Sequence, residues 1–464
     1  MSVRAGGFCF FLGVVTVVLA GLSASAFAAT KQPGFPVPHI TAPTVPTAVA
    51  PGGPGFTLKV YGANFINGSV VNWNKQPRTT TFVSGHELDA QILASDIATN
   101  TAGLITVTTT SPGGPIISST FAQVEVHAPT TTVTFGSPQV TTIGPPLSLV
   151  DVNGDGYLDV VGVSSEIQSY LNNGAGVFAP GPFAARNFNA NGTDELADFN
   201  GDGIPDVAFV IGPFDTPRLQ VNLGNGDGTF RPGFQFAHLA ATPTNMVVGD
   251  FNQDGVLDLV VMNGMRVNLY FGNGDGSFSQ GQFVKTGGHG IDGMVAGDFN
   301  GDGKLDLAAI VVGSTSIQVR VLLGNGDGTF QPARTVATLT GSSGHPPLAV
   351  SDLNADGKPD LLYTDGVNGN QTGSLIGRGD GTFRNLGLLT DVTDGFVVGD
   401  FNSDGKVDLL LSTASGTLRL GNGDGTFGVG QNVNITLGNG LGLAADFNSD
   451  GLMDTSYGNI YLQQ

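Results

Sequence analysis

The sequence "DFNGDGKLD" at residues 298 to 306 places three aspartates and one asparagine within nine residues. Its pattern, D-x-N-x-D-G-x-x-D, occurs seven times, starting at Asp151, Asp198, Asp250, Asp298, Asp352, Asp400 and Asp446. Successive copies start 47, 52, 48, 54, 48 and 46 residues apart, a period close to that of propeller blades and far above that of calcium-binding β-helix repeats. We call the pattern the acidic loop, with positions 1 to 9, and number the loops 1 to 7 in chain order.

The acidic loop has the oxygen donors of a calcium site. Side chains at positions 1, 3, 5 and 9 can converge on one point, and the glycine at position 6 allows a sharp turn. Carboxylates held this close repel one another unless a cation lies between them, and hard oxygen donors suit Ca²⁺. We therefore predict about seven structural calcium ions per chain. The predicted side-chain ligands are Asp151, Asn153, Asp155 and Asp159; Asp198, Asn200, Asp202 and Asp206; Asp250, Asn252, Asp254 and Asp258; Asp298, Asn300, Asp302 and Asp306; Asp352, Asn354, Asp356 and Asp360; Asp400, Asn402, Asp404 and Asp408; and Asp446, Asn448, Asp450 and Asp454.

The segments that flank each loop predict strands. An EF-hand begins with the same residues, but it needs a Glu at position 12 and a helix on each side. Position 12 of loop 4 is Ala309, and the flanks "MVAGD" and "LDLAAIVV" are short apolar runs rich in β-branched residues. Each acidic loop is therefore expected to connect two strands.

A second motif completes the repeat. "LGNGDGTF" at 223 to 230 recurs with small changes at 271 to 278, 323 to 330, 376 to 383 and 420 to 427, and a degraded copy, "LNNGAGVF", lies at 171 to 178. Asn-Gly and Asp-Gly steps between apolar strands indicate hairpins, so each unit has four strands. Seven such units predict a seven-bladed β-propeller of four-stranded blades. The last unit lacks this turn and its fourth strand, and we expect "TVTFGSPQVTT" at 132 to 142 to complete it.

These motifs resemble the FG-GAP, or VCBS, repeats of bacterial surface proteins, integrin α-subunit propellers and some fungal lectins. The resemblance covers about residues 130 to 464 and implies a Ca²⁺ loop between the first two strands of each blade. It also implies a main-chain carbonyl ligand at position 7. These carbonyls belong to Tyr157, Ile204, Val256, Lys304, Lys358, Lys406 and Leu452.

The first 28 residues have the features of a secretory signal peptide. Arg4 precedes an apolar core, and Ala26-Phe27-Ala28 gives a small-x-small cleavage site. The only cysteine, Cys9, lies inside this segment, so the mature chain is expected to have no disulfide. We expect a secreted protein, extracellular or on the cell surface, with the periplasm as another location, and no transmembrane segment.

Between the signal and the propeller we expect an immunoglobulin-like β-sandwich. Residues 29 to 37 are interpreted as a linker, 38 to 128 as the sandwich and 129 to 464 as the propeller, which makes the whole fold all-β. The stretch "FTLKVYGANFINGSVVNWN" resembles IPT/TIG domains, and Trp73, the only tryptophan, is expected in the core.

The acidic loops account for much of the charge. The formal net charge is −20, and 21 of the 38 acidic residues lie in the loops. With seven bound Ca²⁺ and the signal removed, the net charge would be about −7. Nucleic acid is excluded as a partner because no basic stripe is present.

The sequence offers few groups for catalysis. None of the six histidines has metal-ligand spacing to another His or Cys, and neither a G-x-S-x-G motif nor a mature cysteine is present. We therefore predict a monomeric, non-catalytic adhesion or protein-binding protein rather than an enzyme. A carbohydrate-binding, lectin-like propeller and a propeller-based polysaccharide lyase or hydrolase are the alternatives. Strand alternation places all acidic loops on one face, so a protein or glycan ligand is expected on the opposite face.

Overall fold

The computed structural model is all-β, as predicted. It describes residues 36–40, 44–111, 114–117, 120–138, 147–163, 166–181, 185–186, 194–212, 217–239, 243–263, 266–287, 290–312, 316–339, 347–365, 371–393, 395–437, 440–456 and 459–464. No helix occurs in these ranges, and so none there is long and apolar enough to cross a membrane. The predicted signal peptide and most of the predicted linker lie outside the described residues.

The first ten strands form two sheets that share one core. These strands are β1 His39–Ile40, β2 Ala48–Val49, β3 Phe56–Ala63, β4 Val70–Trp73, β5 Gln76–Pro77, β6 Thr79–Ser84, β7 Glu87–Ile92, β8 Thr101–Ser111, β9 Gly114–Ile117 and β10 Ala122–Val126. One sheet has the order β1-β3-β7-β6 and the other β2-β10-β8-β4-β5, with β9 paired to β8. Trp73 is 2% exposed and lies in the core between the sheets, as expected, with Leu58 and Val124. We call this region the sandwich.

The remaining described residues form seven sheets in succession, called sheets 1 to 7. Sheet 1 contains β11 Leu147–Val150, β12 Asp159–Val163, β13 Glu166–Asn172, β14 Phe178–Pro180 and β15 Ala185–Arg186. Sheet 2 contains β16 Asp194–Ala197, β17 Asp206–Ile211, β18 Arg218–Gly224 and β19 Phe230–His238; sheet 3 contains β20 Asn245–Gly249, β21 Asp258–Asn263, β22 Arg266–Gly272 and β23 Phe278–Val284. Sheet 4 contains β24 Gly290–Gly297, β25 Asp306–Val312, β26 Ile317–Leu322 and β27 Arg334–Leu339; sheet 5 contains β28 Leu348–Ser351, β29 Asp360–Asp365, β30 Gln371–Gly377 and β31 Phe383–Val392. Sheet 6 contains β32 Gly395–Gly399, β33 Asp408–Leu411, β34 Thr417–Arg419, β35 Gln431–Asn432 and β36 Gly440–Leu441; sheet 7 contains β37 Leu443–Ala445, β38 Asp454–Ser456 and β39 Ile460–Tyr461.

Neighbouring sheets pack face to face through separate hydrophobic cores. The second strand of each sheet is buried on both faces, which explains why segments such as "DLVVMN" in β21 are almost continuously apolar. Each consecutive pair of sheets shares a core, and a further core joins the last sheet to the first, where Leu158 and Val160 pack with Phe447 and Ile460. The first strands β11 and β37 are also in contact.

The segment before sheet 1 pairs with the end of sheet 7. Phe135 lies opposite Gln463 in an antiparallel bridge, and the Gly136 and Gln464 amides donate to the carbonyls of Leu462 and Thr134 at 2.8 Å. The predicted completion of the last unit is confirmed at this bridge, whereas residues 139 to 142 of the predicted strand lie outside the described residues.

Candidate metal centres

Each acidic loop connects the first and second strands of its sheet, as predicted. Position 9 is the first residue of the second strand in every sheet, from Asp159 in β12 to Asp454 in β38. The seven loops are therefore equivalent in the fold, and the same nine-residue geometry recurs in each sheet.

Two backbone positions of the loop are left-handed. Position 6 is a glycine with φ between 78° and 101° in all seven loops, as the sequence predicts. Position 4 is left-handed as well, including in the four loops where it is not glycine, at Gln253, Ala355, Ser403 and Ser449, with φ between 55° and 60°. Sequence reasoning missed this second turn, although the signal was present in the glycines at position 4 of loops 1, 2 and 4.

The side chains at positions 1, 3 and 5 turn inward around the main chain of the loop. The Asp at position 1 accepts the N–H of position 5 at one oxygen and the N–H of position 6 at the other, as Asp298 does from Asp302 and Gly303 at 3.2 and 2.9 Å. In the same loop Asn300 Oδ1 accepts the Asp302 N–H at 2.8 Å, and Asp302 Oδ1 accepts the Lys304 N–H at 3.1 Å. These bonds recur in all seven loops and gather three side-chain oxygens around one turn.

The Asp at position 9 has a different environment, since it is completely buried. In loop 4, Asp306 Oδ2 accepts the N–H of Phe299 at 2.9 Å, and Oδ1 accepts the N–H of Gly324, at the end of the third strand, at 2.7 Å. One carboxylate thus fixes the loop to its own sheet at two points. The corresponding residues make the same pair of bonds in every sheet: Asp159, Asp206, Asp258, Asp360, Asp408 and Asp454.

Burial makes these carboxylates costly to ionise. It raises the pKa of Asp206 and Asp258 to about 8 and that of Asp306 to about 7, and neighbouring carboxylates add to the rise while the main-chain hydrogen bonds oppose it. At position 1, burial raises the pKa of Asp198 and Asp400 to about 6. A cation next to these groups would reverse this effect, because it favours the charged form of each carboxylate.

The donor set fits calcium, although it does not form a ready cluster of acidic side chains. No group of three or more His, Cys, Asp or Glu side chains arranged to hold a metal occurs in the described ranges. Two of the predicted ligands of each loop are not acidic side chains, namely the Asn at position 3 and the carbonyl at position 7. The carboxylate at position 9 also has an N–H donor on each oxygen. The oxygen chemistry therefore supports Ca²⁺, and the assignment of the 35 ligands stays a prediction.

The Gly-rich turns join acidic loops 1 to 4 to the next sheet. The N–H of Gly228 in sheet 2 donates to the carbonyl of Val152, at position 2 of loop 1, at 3.3 Å, and the corresponding bonds into loops 2, 3 and 4 come from Gly276, Gly328 and Gly381. At loops 6 and 7, where the following turn is degraded or missing, side-chain amides take the place of these main-chain N–H donors. Asn172 Nδ2 donates to Phe447 O at 2.8 Å and Gln463 Nε2 donates to Phe401 O at 2.9 Å.

The sandwich lies against the acidic loops, which sequence reasoning did not predict. Lys75 Nζ is 3.2 Å from Asp151 Oδ2 in loop 1, and just before the sandwich the Val37 N–H donates to Gly255 O of loop 3 at 3.1 Å. His86 lies next to Gly303 of loop 4, and Tyr61 lies next to Gly357 of loop 5. Gln123 and Glu125 of β10 contact loops 7 and 6 through side-chain hydrogen bonds.

Comparisons with known proteins identify the repeat. A family model described as FG-GAP-like repeat matches residues 151–209, 198–261, 250–309, 310–363 and 352–411, which together span more than half of the chain. A search of curated proteins found no match.

Several solved structures resemble the chain at low identity. One is a lectin of Agrocybe aegerita, described as recognising non-reducing terminal N-acetylglucosamine, with 18% identity and a TM-score of 0.49 over 83% of this chain and 98% of that chain. Another is an auxiliary nutrient binding protein of Bacteroides ovatus, with 11% identity and a TM-score of 0.38 over 93% and 99% of the two chains. These similarities do not identify a ligand for this protein.

The structural and metal roles of the carboxylates can be separated with one matched pair of variants. Asp306→Asn places an amide NH₂ against one of two buried N–H donors, so we expect a loss of about 1.5–3 kcal/mol in the free energy of unfolding, with and without calcium. Asp302→Asn removes the same charge from a side chain that is 36% exposed and keeps its acceptor, so without calcium we expect a loss below about 0.5 kcal/mol. Chemical denaturation in chelator isolates the structural contribution of each carboxylate, and equal losses there would contradict the greater structural role of Asp306.

The raised pKa values predict how the calcium-free protein responds to pH. Because burial raises the pKa of Asp206, Asp258, Asp408 and Asp454 to about 8, the folded state binds more protons than the unfolded state between about pH 4 and 8. The stability of the calcium-free protein should therefore fall as pH rises through this window. Thermal melts of chelator-treated, desalted protein at pH 5.5 and 8 test this, and a higher melting temperature at pH 8 would contradict it. With excess calcium the fall should be smaller, since the ion replaces the protons.

Proposed function

Since this chain belongs to the FG-GAP-like repeat family, we propose that it is a calcium-stabilised, non-catalytic protein that binds another protein outside the cytoplasm, either secreted or at the cell surface. The observation that carries the proposal is the seven-fold recurrence of one oxygen-lined loop with the same hydrogen bonds. An enzyme concentrates its chemistry in one asymmetric site, whereas seven equivalent loops serve a scaffold.

We further propose that the seven sheets are the blades of a closed β-propeller, preceded by an IPT/TIG-like sandwich. The core shared by sheets 7 and 1 supports closure, as does the Phe135–Gln463 bridge. Closure removes the exposed sheet edges that an open array would present for aggregation.

The proposed partner surface lies on the face opposite the acidic loops. The sandwich already contacts the loop face at Asp151 and Asp446, so part of that face is not available to a partner. The opposite face is expected to carry the connections between second and third strands and between successive sheets, many of whose residues lie outside the described ranges. Variable loops on a rigid scaffold are where binding residues usually lie.

Calcium binding is the first test of this function. Elemental analysis after equilibration at 1 mM Ca²⁺ should give about seven ions per chain, with poor competition by Mg²⁺, which demands a tighter octahedral site. At a Kd of ~0.1 mM each site would add roughly 1–2 kcal/mol by mass action, so chelation should lower the melting temperature steeply. Two or fewer ions per chain, or a shift of less than a few degrees, would refute the calcium role.

The nature of the ligand is tested separately. Calcium-loaded protein is incubated with cell-surface material that has been treated either with trypsin or with periodate, which oxidises glycans. A protein-binding function predicts loss of binding after trypsin and retention after periodate. The opposite pattern would instead support the lectin alternative, and a lack of binding to untreated material would contradict both.

A further inference from the structure

Strand β10 of the sandwich directs two polar side chains at the acidic loops. Val124 and Val126 belong to the core of the sandwich, and side chains alternate along a strand, so Gln123 and Glu125 lie on the opposite face. Gln123 binds loop 7 through both atoms of its amide: Oε1 accepts the Asp446 N–H at 2.9 Å, and Nε2 donates to Asp446 O at 3.3 Å. Docking on loop 7 therefore satisfies both polar atoms of the Gln123 amide.

Docking does not satisfy both oxygens of the Glu125 carboxylate. Its side chain is completely buried, and its Oε2 accepts a hydrogen bond from Ser403 Oγ of loop 6 at 3.2 Å. Its Oε1 is buried and has no hydrogen-bond partner. An unpaired oxygen of a buried carboxylate is costly, and such a group usually has a cation or a proton nearby.

The surroundings of Glu125 make the cost larger. Burial, and after it the charge of Asp400 at position 1 of loop 6, raises the pKa of Glu125 well above its ordinary value; Asp446 and Asp408 add smaller contributions, and the hydrogen bond from Ser403 opposes the rise. Glu125 thus contacts loop 6, and aspartates of loops 6 and 7 disfavour its charged form by electrostatic repulsion. The arrangement is understandable if a divalent cation lies between the carboxylates.

Loop 6 is enclosed by the sandwich at this point. Asp400, Asn402 and Ser403 are 3%, 4% and 3% exposed, whereas positions 3 and 4 of loops 3, 4 and 5 are more open. The Thr130 N–H donates to Asn402 O at 2.8 Å, and Thr47 Oγ1 is 3.5 Å from Asp400 Oδ2. Water, which would otherwise complete the coordination of an ion in this loop, therefore has less access here than in loops 3, 4 and 5.

We propose that Glu125 supplies its free Oε1 as an additional ligand to the calcium ion of loop 6, so that this ion holds the sandwich on the propeller. The inference rests on the proposed calcium binding by the acidic loops. Four side chains and one carbonyl leave one to three positions of a calcium ion unfilled, and a carboxylate from outside the loop fills one of them. Loop 6 would then have four carboxylates where the other loops have three, and affinity rises with the number of charged ligands.

The test compares the full-length Glu125→Gln variant with wild type and with Glu87→Gln, which removes a glutamate of the same sandwich that pairs with Lys59 at the surface. Calcium titration by calorimetry or against a chromophoric chelator should show that Glu125→Gln weakens the tightest wild-type site about tenfold or more. The other sites should keep their affinities, and Glu87→Gln should leave all sites unchanged.

Thermal melts distinguish a calcium ligand from a side chain that makes only a structural hydrogen bond. In chelator, Glu125→Gln should melt at or above the wild-type temperature, because it removes a buried carboxylate that has one oxygen without a hydrogen bond. With calcium it should melt below wild type, because it gains less from the ion. A variant that melts lower in both conditions indicates a structural hydrogen bond only, and one that melts higher in both indicates that Glu125 holds a proton; either result overturns the inference.

The two levels of the proposal fail in different ways. If wild type binds calcium and Glu125→Gln has the same affinities, the inference is wrong and the proposed calcium role stands. If wild type binds no calcium, the proposed calcium role itself is wrong, and the inference with it.

Discussion

The buried aspartate at position 9 is the interaction on which the repeat depends. Each of these carboxylates accepts one N–H from the acidic loop and one from the end of the third strand, and each is 0% exposed. A side chain with a single acceptor could not satisfy both donors, and an apolar one would leave both unpaired in the core. The need for two acceptors on a short side chain explains why this position is aspartate in all seven loops, whether or not a metal is bound.

This structural role places a carboxylate in the core of every sheet, where ionisation is costly, and the calcium proposal follows from that cost. Charge-assisted hydrogen bonds offset part of the desolvation, yet the pKa of Asp306 still rises to about 7. Lys304 neutralises Asp302 at the exposed end of the loop, where a surface ion pair contributes little. A divalent ion held by positions 1, 3 and 5, as proposed, would act on the buried carboxylate directly and would favour its charged form.

The sequence could predict the repeated elements because local pattern and global fold agree in them. Apolar runs, Asn-Gly turns and acidic loops each specify a strand or a turn by local rules. The second strand of each sheet therefore begins at position 9 of its loop, from Asp159 to Asp454. The pairing of Phe135 with Gln463 could also be predicted, because the last unit lacks its fourth strand and residues 132 to 142 resemble that strand. The second left-handed residue at position 4 was harder to detect, since Gln253 and Ala355 give no sign of positive φ by themselves.

The docking of the sandwich could not be predicted from the sequence, for a physical reason. In "AQVEV" the polar residues alternate with valines, and this pattern is the same for a strand that faces water and for one that faces another domain. What distinguishes the two is the partner, and that partner lies about 280 to 320 residues away at Ser403 and Asp446. A surface of acidic loops is an unusual place to bury a glutamate. A buried carboxylate there needs a cation or a proton to offset its charge, and so the same electrostatic constraint applies to the interior of each sheet and to the contact between the two regions.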